Sequence, residues 1–142
     1  MSQESLELIR RLYAGGPAVE RLLREGGDLT EHPWLALWHP ECVLEDLADA
    51  PGAAVYHGRE GVVEYLERSL REIWEEWQFT PTELIDRGEA VFAAVRNRGR
   101  SKAGIELEMQ MFQAFRIRDG MVAVAAGFLD REQALDAAGI SR

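Results

Sequence analysis

Ile105-Glu106-Leu107-Glu108-Met109-Gln110-Met111-Phe112-Gln113-Ala114-Phe115-Arg116-Ile117-Arg118 is the stretch that decides the fold class. Its apolar residues recur at every second position, the period of a half-buried strand and not of a helix. Ile105, Leu107, Met109, Met111, Gln113, Phe115 and Ile117 share one side. Glu106, Glu108, Gln110, Phe112, Ala114, Arg116 and Arg118 share the other. A one-residue slip would expose the whole apolar set, so that first side is expected to face the core. Gln113 is its one polar member.

Further strands are expected on either side, over 82–86, 90–97 and 121–129. Asp86-Arg87-Gly88-Glu89 and Arg118-Asp119-Gly120 supply hairpin turns, and 99–104 reads as a polar loop. In the strand over 90–97, Val91, Ala93 and Val95 point inward while Arg96 points outward; Arg98, beyond that strand, points outward too. A last helix over 130–138 is stopped by Gly139.

Upstream the period is helical. Leu6, Ile9, Leu12 and Tyr13 mark one helix face, with Ser2 as its cap and Glu4 in its first turn. Gly15-Gly16-Pro17 interrupts it. Val19, Leu22 and Leu23 mark a second helix, stopped by Gly26-Gly27. Thr30 is placed to cap a third, with Pro33 in its first turn and Trp34, Leu35, Leu37 and Trp38 on its apolar side. His39-Pro40 ends the helical region, and His39 reads as a structural turn residue. A strand follows over 42–47, then a loop through Pro51-Gly52. Positions 58–77 read as one long helix with Val62, Tyr65, Leu66, Ser69, Leu70, Ile73 and Trp77 near one stripe. Helices first and a β-meander after them give an α+β fold, one domain over 1–142. A curved mixed or antiparallel sheet wrapped around such helices makes a cone with a mouth, a shape suited to a small ligand.

Composition narrows the function. The 142 residues carry a net charge of −9 from 16 basic and 25 acidic side chains, with 46% hydrophobic residues. No basic patch stands out, so neither nucleic acid nor an anionic membrane is an expected partner. No run reaches the roughly 18 apolar residues of a membrane helix. Met1-Ser2-Gln3-Glu4 lacks the basic and apolar regions of a signal peptide. With the lone Cys42, which reads as core packing, this fits a cytoplasmic protein. His32, His39 and His57 show no ligand spacing, so no metal is expected.

Asp46 shares strand parity with Cys42 and Leu44, so it is expected to point into the apolar cone, where burial raises a carboxyl pKa. Trp38, Trp74, Trp77, Phe79 and Phe128 are candidate walls. Tyr56 and His57, just before the long helix, are further candidates for contact with a ligand.

The order of several motifs resembles the nuclear transport factor 2-like superfamily, in its SnoaL-like (polyketide cyclase-like) branch. They are Trp38-His39-Pro40-Glu41, the strand end Glu45-Asp46, Tyr56-His57-Gly58-Arg59-Glu60-Gly61, Glu76-Trp77, Glu83-Leu84-Ile85-Asp86, Phe115-Arg116-Ile117-Arg118-Asp119-Gly120, Asp130-Arg131-Glu132 and Ala134-Leu135. The resemblance spans nearly the whole chain. Val43-Leu44-Glu45-Asp46 is also similar to the strand that carries the aspartate base of ketosteroid isomerases. That likeness implies Asp46 as base and Tyr13 as an oxyanion-hole hydroxyl. Gln113 stands where the family has a protonated aspartate, and its amide NH2 is also a donor. The implied function is a cofactor-independent isomerase or cyclase. It would move a proton α to the carbonyl of a small apolar ligand, in a homodimer built on the sheet's outer face. A non-catalytic binding or dimerisation domain and an epoxide hydrolase are the alternatives. The hydrolase needs a second carboxylate and an Arg inside the cone, which strand parity does not supply.

Overall fold

A computed structural model describes residues 2–48 and 54–139. Leu8, Ile9 and Leu12 fall on one face of helix α1 (Ser2–Ala14) and are buried. The Ser2 side chain, expected as a cap, and the loop at Pro51-Gly52 lie outside the described residues. Helix α2 (Gly16–Arg24) follows at once and buries Val19 and Leu23. Gly15, expected as a helix stop, has helical backbone angles. It is needed for close packing: a Cβ there would come within 2.4 Å of Trp34 Cδ1.

The expected third helix is a single 3-10 turn, Pro33–Leu37, and His32 caps it in place of Thr30. The His32 Nδ1 accepts from the Trp34 amide at 3.0 Å, whereas Thr30 bonds back to Asp28. Strand β1 (Trp38–Asp46) then starts earlier than expected, and the short strand β2 (Ala54–His57) pairs along its outer edge.

Helix α3 (Gly58–Glu67) buries Val62 and Val63. The expected helix over 58–77 is overturned beyond it. The chain makes a π-helical turn, Arg68–Ile73, and enters strand β3 (Trp74–Asp86). The sequence misleads because Ile73 and Trp77 continue the helical spacing, although Ile73 is exposed at the end of that turn and Trp77 already lies in β3. A register shift in β3 between Trp74 and Glu76 puts Trp74 and Trp77 on one face at a spacing of three. Their rings stack with centroids 6.3 Å apart.

Strand β4 (Ala90–Ser101) runs through part of the expected 99–104 loop, then β5 (Glu106–Arg118), β6 (Met121–Phe128) and helix α4 (Arg131–Ala137), capped by Asp130. Asp119 and Gly120 both take positive φ, as a two-residue hairpin turn requires. The sheet order is β2-β1-β6-β5-β4-β3, antiparallel except for the parallel β1–β6 pair. This is the α+β fold expected, a curled mixed sheet packed against N-terminal helices.

Strand alternation gives the sheet two apolar faces. Val91, Ala93, Val95 and Phe115 pack with α1, α2 and α3 on the inner face. Phe92, Ala94, Ala114 and Ala126 pack with Ala134 and Leu135 of α4 on the outer face. Arg131 secures α4, pairing with Glu83 at 2.9 Å and lying 4.9 Å from the Phe92 ring centre.

Candidate functional site

The inner face and the helices enclose a cavity of about 350 Å3. Its wall is mostly apolar and aromatic, including Trp34, Trp38, Trp77, Phe79 and Phe115. Among the described lining residues there is no Arg, Lys or His.

Asp46, at the last position of β1, lines this cavity. Removal from water pushes its carboxyl pKa above the ordinary 3.8, and a hydrogen bond from the Tyr65 hydroxyl partly offsets that rise. Tyr65, on α3, shares a hydrogen bond with buried Ser69, and burial raises its own pKa far above the ordinary tyrosine value. The two hydroxyls were visible in the sequence only as members of an apolar stripe. Their spacing of four residues on a buried face was the available signal, because buried hydroxyls need partners.

Gln113 lines the cavity from β5, as its strand parity predicts. Its Oε1 accepts the hydroxyl of Tyr13, whose pKa burial raises strongly. The expectation that Tyr13 and Gln113 both donate to a ligand is corrected here: the Tyr13 proton is engaged by the amide oxygen. Tyr13 therefore orients Gln113 and leaves its amide NH2 free to donate, while the indole N–H groups of Trp38 and Trp77, two residues that line the cavity, are buried without partners.

The register relates the two polar groups. Glu45 pairs with Ala126 across to β6, and Gln113 pairs with Gly127 from the other side. Asp46 and Gln113 thus stand on strands flanking Gly127, with backbones ~10 Å apart at normal strand spacing. Gly127 lines the cavity without a side chain, and a Cβ there would meet the Leu47 amide nitrogen at 3.4 Å and the Met111 methyl at 3.9 Å.

The remaining candidates divide. Trp38, Trp77 and Phe79 line the cavity. Trp74 and Tyr56 stand behind the wall, Trp74 stacked on Trp77 and Tyr56 at 5.3 Å from the Tyr65 ring. His57 is exposed at the start of α3 and lines nothing in the cavity. Phe128 is on the wrong face for a cavity wall. It pairs with Phe112 and packs in the outer cluster, because alternation turns its neighbour Gly127 inward. Arg96 and Arg98 are exposed, and Arg98 pairs with Glu108 at 3.3 Å.

A sequence model of the SnoaL-like domain matches residues 19–125. The chain belongs to the SnoaL-like domain family. Solved structures of the nuclear transport factor 2-like superfamily superpose on it. A nuclear transport factor 2-like protein of unknown function from Burkholderia pseudomallei is 17% identical, covers 97% of this chain and 98% of its own, and gives a TM-score of 0.71. A protein with a ketosteroid isomerase-like fold from Catenulispora acidiphila, in complex with trimethylamine, is 18% identical over 76% of this chain and 81% of its own, TM-score 0.60. A candidate polyketide cyclase from Sinorhizobium meliloti is 13% identical over 85% and 93%, TM-score 0.65. At these identities the likeness is one of fold. No curated protein matches the sequence. For a SnoaL-like domain, function has to be argued from the cavity.

Proposed function

We propose that this SnoaL-like domain is an isomerase or cyclase that moves a proton α to a carbonyl, with Asp46 as the base. The observation that carries the reading is a half-buried carboxyl and an amide lining one apolar cavity from the strands on either side of Gly127. A bound ketone directs its oxygen to the Gln113 NH2 and its α-carbon to Asp46. The carboxylate takes the α-proton, and the charge that develops on the enolate oxygen meets the amide dipole in a mostly apolar cavity. Protonated Asp46 then returns the proton to carbon at the same or a conjugated position. Tyr65 holds the carboxylate in place, and Tyr13 holds the amide.

The epoxide hydrolase alternative loses support, because among the described residues no Arg lines the cavity to position a water or an epoxide oxygen. The binding-domain alternative is separated by experiment. Hydrogen–deuterium exchange at the α-carbon of 2-tetralone, followed by NMR, reads proton abstraction directly. Wild type is expected to exchange well above the buffer rate, and Asp46→Asn to lose about 10²–10⁴-fold, the usual range for a general base. Exchange no faster than buffer by a wild-type protein that binds the ketone would overturn the catalytic reading and leave a binding domain.

A further inference from the structure

Strands β3, β4 and β5 extend past the cavity, and their two faces differ there. The β4–β5 register is unbroken from Ala90 opposite Arg116 to Arg100 opposite Glu106, so alternation assigns each side chain of that stretch to a face. Phe115, Gln113 and Met111 line the cavity from the inner face of β5. Met109 and Leu107 follow on the same face, and Ile105 keeps the parity just before the strand. Exposure rises along this series from 7% at Met111 to 37% at Leu107 and 67% at Ile105. On the outer face of the same stretch the exposed side chains are Arg96, Arg98, Glu106, Glu108 and Gln110, as a sheet end in water requires. The inner face stays apolar where it meets water.

This strip is continuous with the cavity. Trp77, a cavity wall, pairs with Gly99, and Gly99 pairs with Leu107. One row further in, Phe79 pairs with Asn97, and Asn97 with Met109. Asn97 is buried and donates to the Met111 sulfur at 3.2 Å, so it brings no polar group to that surface. Trp74 lies over Gly99, where a Cβ would stand 3.0 Å from its Cε3. From Met109 to Ile105 the strip runs about 14 Å at normal strand rise, and it is one strand wide. A protein partner takes roughly 20–30 residues a side, many more than the strip offers. A linear hydrocarbon chain leaving the cavity matches both its length and its width.

We propose that Met109, Leu107 and Ile105, reached past Trp77, hold a linear apolar chain of the ligand whose head occupies the cavity. The substrate class is then a ketone with a long aliphatic tail. Placing a ketone in the cavity rests on the function proposed above; the site for the tail does not.

Tryptophan fluorescence titration of the full chain with 2-hexanone and 2-dodecanone tests it. Burying one methylene changes affinity about fourfold, and laying it on an open strip about twofold. 2-Dodecanone is therefore expected to bind at least tenfold more tightly than 2-hexanone. With Ile105→Thr and Leu107→Thr combined, 2-dodecanone is expected to lose at least fivefold while 2-hexanone stays within about twofold, with unchanged circular dichroism. Both side chains are exposed and threonine suits a strand, so the fold is retained. Ile105→Thr alone, at the more exposed position, gives the same sign at smaller size. No gain of affinity with chain length, no loss for 2-dodecanone in the variant, or an equal loss for both ketones would overturn the inference. Sedimentation of the same proteins separates the other occupant. Self-association abolished in the variant, with 2-dodecanone affinity unchanged, overturns the inference and assigns the strip to a second copy of the chain. The two proposals fail separately. Binding that tightens with chain length, without exchange of 2-tetralone, removes the reaction and keeps the tail site. Exchange of 2-tetralone with equal affinity for the two aliphatic ketones removes the tail site and keeps the reaction.

Discussion

Asp46 is held in a setting that disfavours its charge, with one hydroxyl to steady it. Between the ordinary 3.8 and its raised pKa, the folded chain binds a proton that the unfolded chain releases. Folding stability therefore falls as pH rises through that interval and is fully recovered only below it. Asp46→Asn removes the titration yet keeps an oxygen for Tyr65. Thermal melts are expected to show the variant more stable than wild type at pH 7, with the difference closing below about pH 4; identical melting at pH 7 would mean the carboxylate is solvated. Tyr65→Phe acts in the opposite sense on the same group. The Tyr65 hydrogen bond favours the carboxylate form, so its loss raises the Asp46 pKa further and moves the rising limb of the exchange–pH profile upward. A profile that stayed in place would remove Tyr65 from the site. Strand parity made Asp46 and Gln113 legible in the sequence, because a period of two fixes which face a side chain takes. It could not show that the Tyr13 hydroxyl is committed to Gln113, or that Tyr65 reaches Asp46. Those are contacts across 100 residues in one case and between a helix and a strand in the other.

The element least legible in advance is the junction from α3 to β3. Ile73 and Trp77 continue the helical spacing of the preceding residues, yet Ile73 is exposed and Trp77 lies in β3. What holds that junction is also non-local. Arg24 of α2 donates to the carbonyl oxygens of Leu70 and Trp74, each at 2.9 Å. Arg71 of the π-helical turn donates back to Leu23 and Gly27, each at 3.0 Å. The pair ties α2, which lines the cavity through Pro17 and Val19, to the turn that lines it through Leu70. Each arginine bonds to two backbone carbonyls of the other's segment. Arg71→Met keeps the aliphatic packing and removes both bonds, so urea unfolding is expected to show a loss of about 1–3 kcal/mol. Since Arg24 bridges the same two elements, Arg24→Met combined with Arg71→Met should lose less than the sum of the single changes. Strict additivity would mean the two arginines act on separate parts of the fold.

Across the whole molecule, one sheet serves two faces with different tasks. The inner face leaves a cavity unfilled. Part of the outer face is packed under α4, where Phe92, Ala114 and Leu135 meet, while Arg96, Arg98, Glu108 and Gln110 of the same face are exposed. Side chains on opposite faces of a strand share only the backbone, so damage to the outer cluster should be felt as stability and not as recognition. Leu135→Ala creates a void in a buried cluster and is expected to lower unfolding free energy by about 2–4 kcal/mol. Under conditions where the variant remains folded, its affinity for 2-tetralone should stay within about twofold of wild type, because no residue of α4 lines the cavity. A parallel loss of affinity would show that α4 sets the curl of the sheet, and with it the spacing of Asp46 and Gln113 across Gly127.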